Sequence, residues 1–206
     1  MNKNILTFDQ WAILGKDQGM EKGHNASVSH MLKIIFEDYQ KKNKKYSVID
    51  LGCGNGWVVR KFKDHSLCNL AHGLDGAVNM IKKAKQFDPD GHYFNEDIEI
   101  WNPPIAKYDV VFSMETLYYF KNPEKIIKNI YDNILNKNGL LIIGIDHYLE
   151  NKASLNWGQE FNLDITTLSI NDWGNTLEKS GFKNIQSKQV EQNEKWEGTL
   201  IISGYK

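Results

Sequence analysis

The chain has 206 residues, 41% hydrophobic and 12% aromatic, enough for a sizeable buried core and too apolar for a disordered chain. Its formal net charge is -1 and Arg60 is its only arginine, so nothing in the charge favours long-range attraction to nucleic acid or bidentate reading of phosphates and guanine. No apolar run approaches the roughly 20 residues of a membrane span, and the first residues lack a signal peptide's apolar centre, so a cytoplasmic location and no membrane partner are expected.

No Pro/Gly/Ser-rich linker interrupts the sequence, which predicts one domain over residues 1–206. Phe8, Trp11, Met20, Glu21 and His24 belong to a predicted N-terminal helical cover over 1–45. Within it Val28, Met31, Leu32, Ile35, Phe36 and Tyr39 recur at i, i+3, i+4, i+7, one apolar helix face. Lys41-Lys42-Asn43-Lys44-Lys45 is expected to be a solvated loop. The predicted core, 46–206, opens with a strand, Val48–Leu51.

That strand breaks into Gly52-Cys53-Gly54-Asn55-Gly56, with Asp50 two residues before the first glycine. Glycines at alternate positions let the backbone take φ > 0 and approach a ligand closely, whereas a bare strand-to-helix turn needs only one. A dinucleotide G-x-G-x-x-G loop would place its third glycine where Trp57 stands, and no G-K-[ST] follows for a P-loop. Cys53 and Cys68 show no metal or redox spacing.

The pattern D-x-G-x-G-x-G resembles the first motif of the class I S-adenosylmethionine (SAM) dependent methyltransferases. The resemblance covers about residues 45 to 206. It implies a doubly wound, mostly parallel seven-stranded α/β sheet in the order 3-2-1-4-5-7-6, with helices on both faces. It also implies that SAM is the cofactor and that the loop residues Asp50, Gly52, Cys53, Gly54, Asn55 and Gly56 wrap its amino-acid end.

Further strands are expected at Leu70–Leu74, His92–Phe94, Tyr108–Phe112 and Leu140–Ile145, with helical patterns between most of them. Asp75 and Gly76 follow the second strand, about 20 residues after the loop, where an acid can accept both ribose hydroxyl protons. By resemblance, Asp97 accepts the adenine amino group and Ile98 flanks the ring. Ser113, Glu115 and Tyr118, beside Tyr119, follow the fourth strand and are expected in or beside the active cleft.

Asn122 and Pro123 open a helix carrying Ile126, Ile127, Ile130, Tyr131 and Ile134 inward, which Gly139 is expected to stop. After strand five an insertion at about 147–168, with His147, Tyr148, Trp157 and Phe161, is expected to cover the acceptor and exclude water. Ser169 caps the next helix, Gly181 ends it, and Phe182–Ser187 with Gly198–Tyr205 could form an antiparallel hairpin.

The expected activity is methyl transfer from SAM to N, O or S of a small-molecule acceptor, with His147, Glu115 and Tyr118 as candidates for positioning the acceptor or taking its proton. Glu115 and Asp146 could hold Mg²⁺, but hard cations want a fuller oxygen shell, so no metal is assigned. The alternatives are an RNA or protein methyltransferase and a non-catalytic SAM-binding partner subunit.

Overall fold

A computed structural model describes residues 2–103 and 107–206. It contains two compact units, Met1–Trp101 and Asn102–Lys206. The first carries α1 (Lys3–Ile13), α2 (Asp17–Lys42), β1 (Tyr46–Leu51), α3 (Trp57–Lys63), β2 (Cys68–Asp75), α4 (Val78–Phe87) and β3 (His92–Asn95). The second carries β4 (Tyr108–Met114), α5 (Pro123–Asn129), β5 (Leu135–Ile145), α6 (Trp157–Glu160), α7 (Ile170–Ser180), β6 (Lys183–Val190) and β7 (Thr199–Tyr205). The strands form one sheet in the order β3-β2-β1-β4-β5-β7-β6, the order the resemblance implies.

In the first unit Val48–Leu51 is wholly buried, as a strand covered on both faces requires. The predicted face of α2 is buried at Val28, Met31, Leu32, Ile35 and Tyr39, while Phe36 stacks on His65 at 3.9 Å. Lys41 and Lys42, expected in a loop, form the last turn of α2, where cations complement the helix dipole, and Asn43 closes it with φ 47°. Parallel pairing sets Leu51 opposite Leu74 and Asp75 opposite Asn95, so the segments after β1, β2 and β3 leave the sheet at its carboxyl edge.

In the second unit Asn122 caps α5 by accepting the Lys125 amide at 3.1 Å, with Pro123 at the first helical position. Ser169 and Asp172 form a reciprocal capping box on α7, and Gly181 ends that helix with φ 109°. Gly139 does not stop a helix. The helical turns end at Ile134, β5 begins at Leu135 opposite Tyr108, and the left-handed residue is Asn138, φ 62°. Gly139 is small for packing reasons, because a Cβ there would lie 2.8 Å from Leu135 Cγ. β7 runs antiparallel to both β5 and β6, which realises the expected hairpin.

Candidate functional site

The loop after β1 is held in one geometry. Gly52, Gly54 and Gly56 have φ of 81°, 53° and 76°, a region that L side chains rarely adopt, and a Cβ on Gly56 would fall 2.6 Å from Tyr93 Cε1. The Gly52 and Cys53 amides both donate to the Leu74 carbonyl, at 2.8 and 3.0 Å, which ties the loop to the end of β2. Cys53 is buried, and burial pushes its thiol well above the usual range.

Asp75 accepts the Gly54 amide on Oδ2 at 2.9 Å and the Ala77 amide on Oδ1 at 2.8 Å. Burial raises its pKa, against the lowering effect of those two bonds. Asp50 is 2% exposed and its carboxyl makes no hydrogen bond among the described residues. Burial first, and the Asp75 charge second, push it well above the usual carboxylate range. An acid destabilised in this way beside a glycine-rich turn is a candidate for pairing with a cation.

Gly76 lies against Ile5 of α1, whose Cδ1 would be 2.6 Å from a Cβ there. Asn95 donates its amide to the carbonyls of Asp75 and Gly76, both at 3.0 Å. Asp97 accepts the Glu99 amide at 3.0 Å on an exposed turn, and the adjacent Ile98 is buried. The unit therefore gathers Asp50, the glycine loop, Asp75 and Gly76, with Asp97 and Ile98 on the segment that follows β3.

Several residues of this region escaped the sequence reading. Asp17 accepts the Asn55 side-chain amide at 3.0 Å and pairs with Lys83 at 2.6 Å. Asp9 takes both the backbone amide and the side-chain amide of Asn79, each at 2.7 Å. The N-terminal helices pack directly on α4, with Phe8 and Met20 against Ala12, Ala77 and Met80.

In the second unit the register of β4 on β5 sets Met114 opposite Gly144, and the Glu115 amide donates to the Gly144 carbonyl at 2.9 Å. Glu115 has φ 54°, an uncommon conformation for a non-glycine residue and one that gathers at functional sites. Its carboxylate accepts the Tyr118 hydroxyl and the Asp146 amide, each at 2.5 Å. The Tyr118 and Tyr119 hydroxyls are 3.0 Å apart, and burial followed by the Glu115 charge raises both phenols. Ser113, one turn of the pleat earlier, is buried in β4.

His147 does not have a nitrogen to spare. Its Nδ1 lies 3.0 Å from the Ser154 carbonyl, which can only accept, so Nε2 accepts the Thr167 hydroxyl at 2.7 Å. The ring is 1% exposed and burial lowers its pKa, so His147 pins the 147–168 segment and is not poised to take a proton. Tyr148, expected to cover an acceptor, is fully buried and donates to the Glu197 and Gly198 carbonyls at 3.0 Å. Trp157 does remain partly exposed, stacked on Trp196 at 5.9 Å and edge-on to Phe161 at 6.4 Å.

A family model for a methyltransferase domain matches residues 25–187. The chain belongs to the methyltransferase domain family. A Coxiella burnetii ubiquinone biosynthesis O-methyltransferase is 30% identical over 102 residues, 48% of this chain and 42% of that protein. The chain spans less than half the length of the curated relatives it matches. A chain from the Haloferax volcanii complex of the Trm112 methyltransferase activator with a methyltransferase superposes with a TM-score of 0.80, at 25% identity over 96% of each chain. The magnesium protoporphyrin IX methyltransferase of Synechocystis, solved with SAM bound, gives 0.67 at 15% identity, over 91% of this chain and 81% of that one, and shows the shared fold.

The first unit of this methyltransferase domain also carries side chains that could hold a SAM cofactor. Asp50, 2% exposed and raised by burial, could supply a counter-charge for an ammonium group. Of the loop glycines, Gly54 leaves an open backbone, with only Met80 Sδ as near as 4.0 Å to a Cβ built there. No helix among the described residues is long and apolar enough to cross a membrane.

Proposed function

We propose that this methyltransferase acts on a nucleophilic N, O or S atom of a small-molecule acceptor, and that Glu115 with the Tyr118–Tyr119 pair orients the acceptor and receives its proton. SAM brings a methyl group on a sulfonium that is already strongly electrophilic, so the protein's task is orientation, desolvation and electrostatics. Asp50 would bind the ammonium of the methionine moiety, the 52–56 loop would wrap that moiety, and Asp75 would accept the ribose hydroxyls. Asp97 and Ile98 would hold the adenine, and Ser113 would serve as a further cofactor ligand.

The observation that carries the acceptor side is Glu115: a carboxylate fixed in a left-handed backbone conformation, already bridging a buried phenol and the Asp146 amide. A preorganised acid of this kind can attract a cationic amine, or accept the proton of an amine or hydroxyl as the methyl group arrives. Tyr118 and Tyr119 hold high pKa values and stay neutral donors. The test is incubation with methyl-labelled SAM and a whole-cell extract, separated afterwards into small-molecule, RNA and protein fractions. Label in a small-molecule fraction, reduced in Glu115→Gln, supports the reading; label only in RNA or protein fractions refutes it.

A second reading has one specific support, the likeness to a chain solved in complex with the Trm112 activator. On that reading the present chain works with an activator subunit. Haloferax volcanii Trm112 added to this protein would then form a stable complex on gel filtration and raise methyl transfer, whereas a chain active alone and indifferent to it speaks against the idea.

A further inference from the structure

The segment that steadies the cofactor loop lies outside the span the family model matches. That span begins at residue 25, and Asp17 stands eight residues earlier, at the first position of α2. Of the five loop residues only Cys53 and Asn55 carry side chains, and Asn55 is the anchored one. Its Nδ2 donates to Asp17 Oδ2 at 3.0 Å, its Oδ1 accepts the Trp57 amide at 3.2 Å, and its backbone carbonyl accepts Arg60 Nη1 at 2.7 Å. The other Asp17 oxygen pairs with Lys83 of α4 at 2.6 Å.

Asp17 is 3% exposed and Asn55 also 3%, so their bond is shielded from water and both groups depend on it. Although burial opposes it, bonding to Lys83 and Asn55 holds the Asp17 carboxyl below the usual carboxylate range, so it is charged at neutral pH. Three left-handed glycines give this loop more unfolded freedom to lose than any other stretch of five residues in the unit. An external anchor on its one tethered side chain adds to the backbone bonds from Gly52 and Cys53 to Leu74 in holding the loop's conformation while no ligand is bound.

We propose that Asp17 is a positioning residue for the SAM loop, acting through Asn55 and held in charge by Lys83. It touches no cofactor itself; it sets the loop's conformation before binding and so lowers the ordering cost that binding would otherwise incur. This rests on the assignment of the 52–56 loop to SAM.

The test is titration calorimetry of SAM, and of S-adenosylhomocysteine, into the parent, Asp17→Ala, Asn55→Ala and the double variant, with the melting temperature of each ligand-free protein. Each single change should weaken binding about tenfold, and the double change should weaken it no further than the larger single effect, because both break one linkage. Asp17→Asn keeps the shape but one good acceptor only, and should weaken binding severalfold if the alanine variant fails to fold. Asp17 variants that melt lower yet bind SAM within about twofold of the parent, or single effects that multiply in the double variant, overturn the proposal. A parent chain that binds neither compound overturns the cofactor assignment of the loop, and this inference with it.

Discussion

Replacing Asp50 by Asn should stabilise the ligand-free protein and cripple cofactor binding at once. The carboxyl is 2% exposed, has no hydrogen-bond partner among the described residues, and sits near Asp75, so burial and like charge both oppose its ionisation. The folded chain therefore holds the Asp50 proton to higher pH than the unfolded chain does. Below about pH 4 both forms are protonated and the residue is neutral to stability; the cost appears as pH rises past the unfolded value and levels off above the folded one. Removing the charge should return about 1 kcal/mol at neutral pH, or about 3 °C in melting temperature for a chain of this size, and nothing near pH 4.

The same change deletes the counter-charge proposed for the SAM ammonium. Truncating one partner of a buried charge pair costs about 2–4 kcal/mol, which is roughly a thirty- to several-hundred-fold loss of affinity. Differential scanning fluorimetry across pH and calorimetric titration with SAM measure the two arms. An Asp50→Asn variant that melts several degrees lower at neutral pH and still binds SAM normally would refute the reasoning, because Asp50 would then be a satisfied structural acid.

Other substitutions separate the remaining roles. Gly56→Ala places a Cβ 2.6 Å from Tyr93 Cε1 at φ 76°, so melting temperature should drop by several degrees and SAM binding should be lost together with it. His147→Ala should lower the melting temperature by about 3–10 °C, since two buried hydrogen bonds go, while SAM affinity and the pH dependence of transfer keep their shape; a missing inflection in that pH profile would restore His147 as a base. Glu115→Gln should leave SAM affinity unchanged and cut product formation by about a hundredfold, read by mass spectrometry of the labelled product.

What could be read beforehand follows from how local each constraint is. The loop glycines, the Asn122 and Ser169 caps and the stop at Gly181 are decided by backbone geometry within a few residues, and the structure bears them out. Asp9, Asp17, Asn79 and Lys83 could not be found that way. Asp17 bonds to residues 38 and 66 positions on, and Asp9 to one 70 positions on, so in sequence each is one more acid in a polar helix turn. His147 looked available for the same reason: nothing local shows that Ser154 and Thr167 occupy both its nitrogens. The helix assigned to run up to Gly139 failed because Leu135 is drawn into the sheet opposite Tyr108, a tertiary pairing that outweighs the run of helical periodicity before it.

A crystal structure of the chain grown with SAM tests the account most directly. The account predicts density for one cofactor molecule, with its ammonium at Asp50, its methionine moiety wrapped by the 52–56 loop and its ribose hydroxyls on Asp75. Density elsewhere in the molecule, or an empty loop at a SAM concentration that saturates binding in solution, would contradict it.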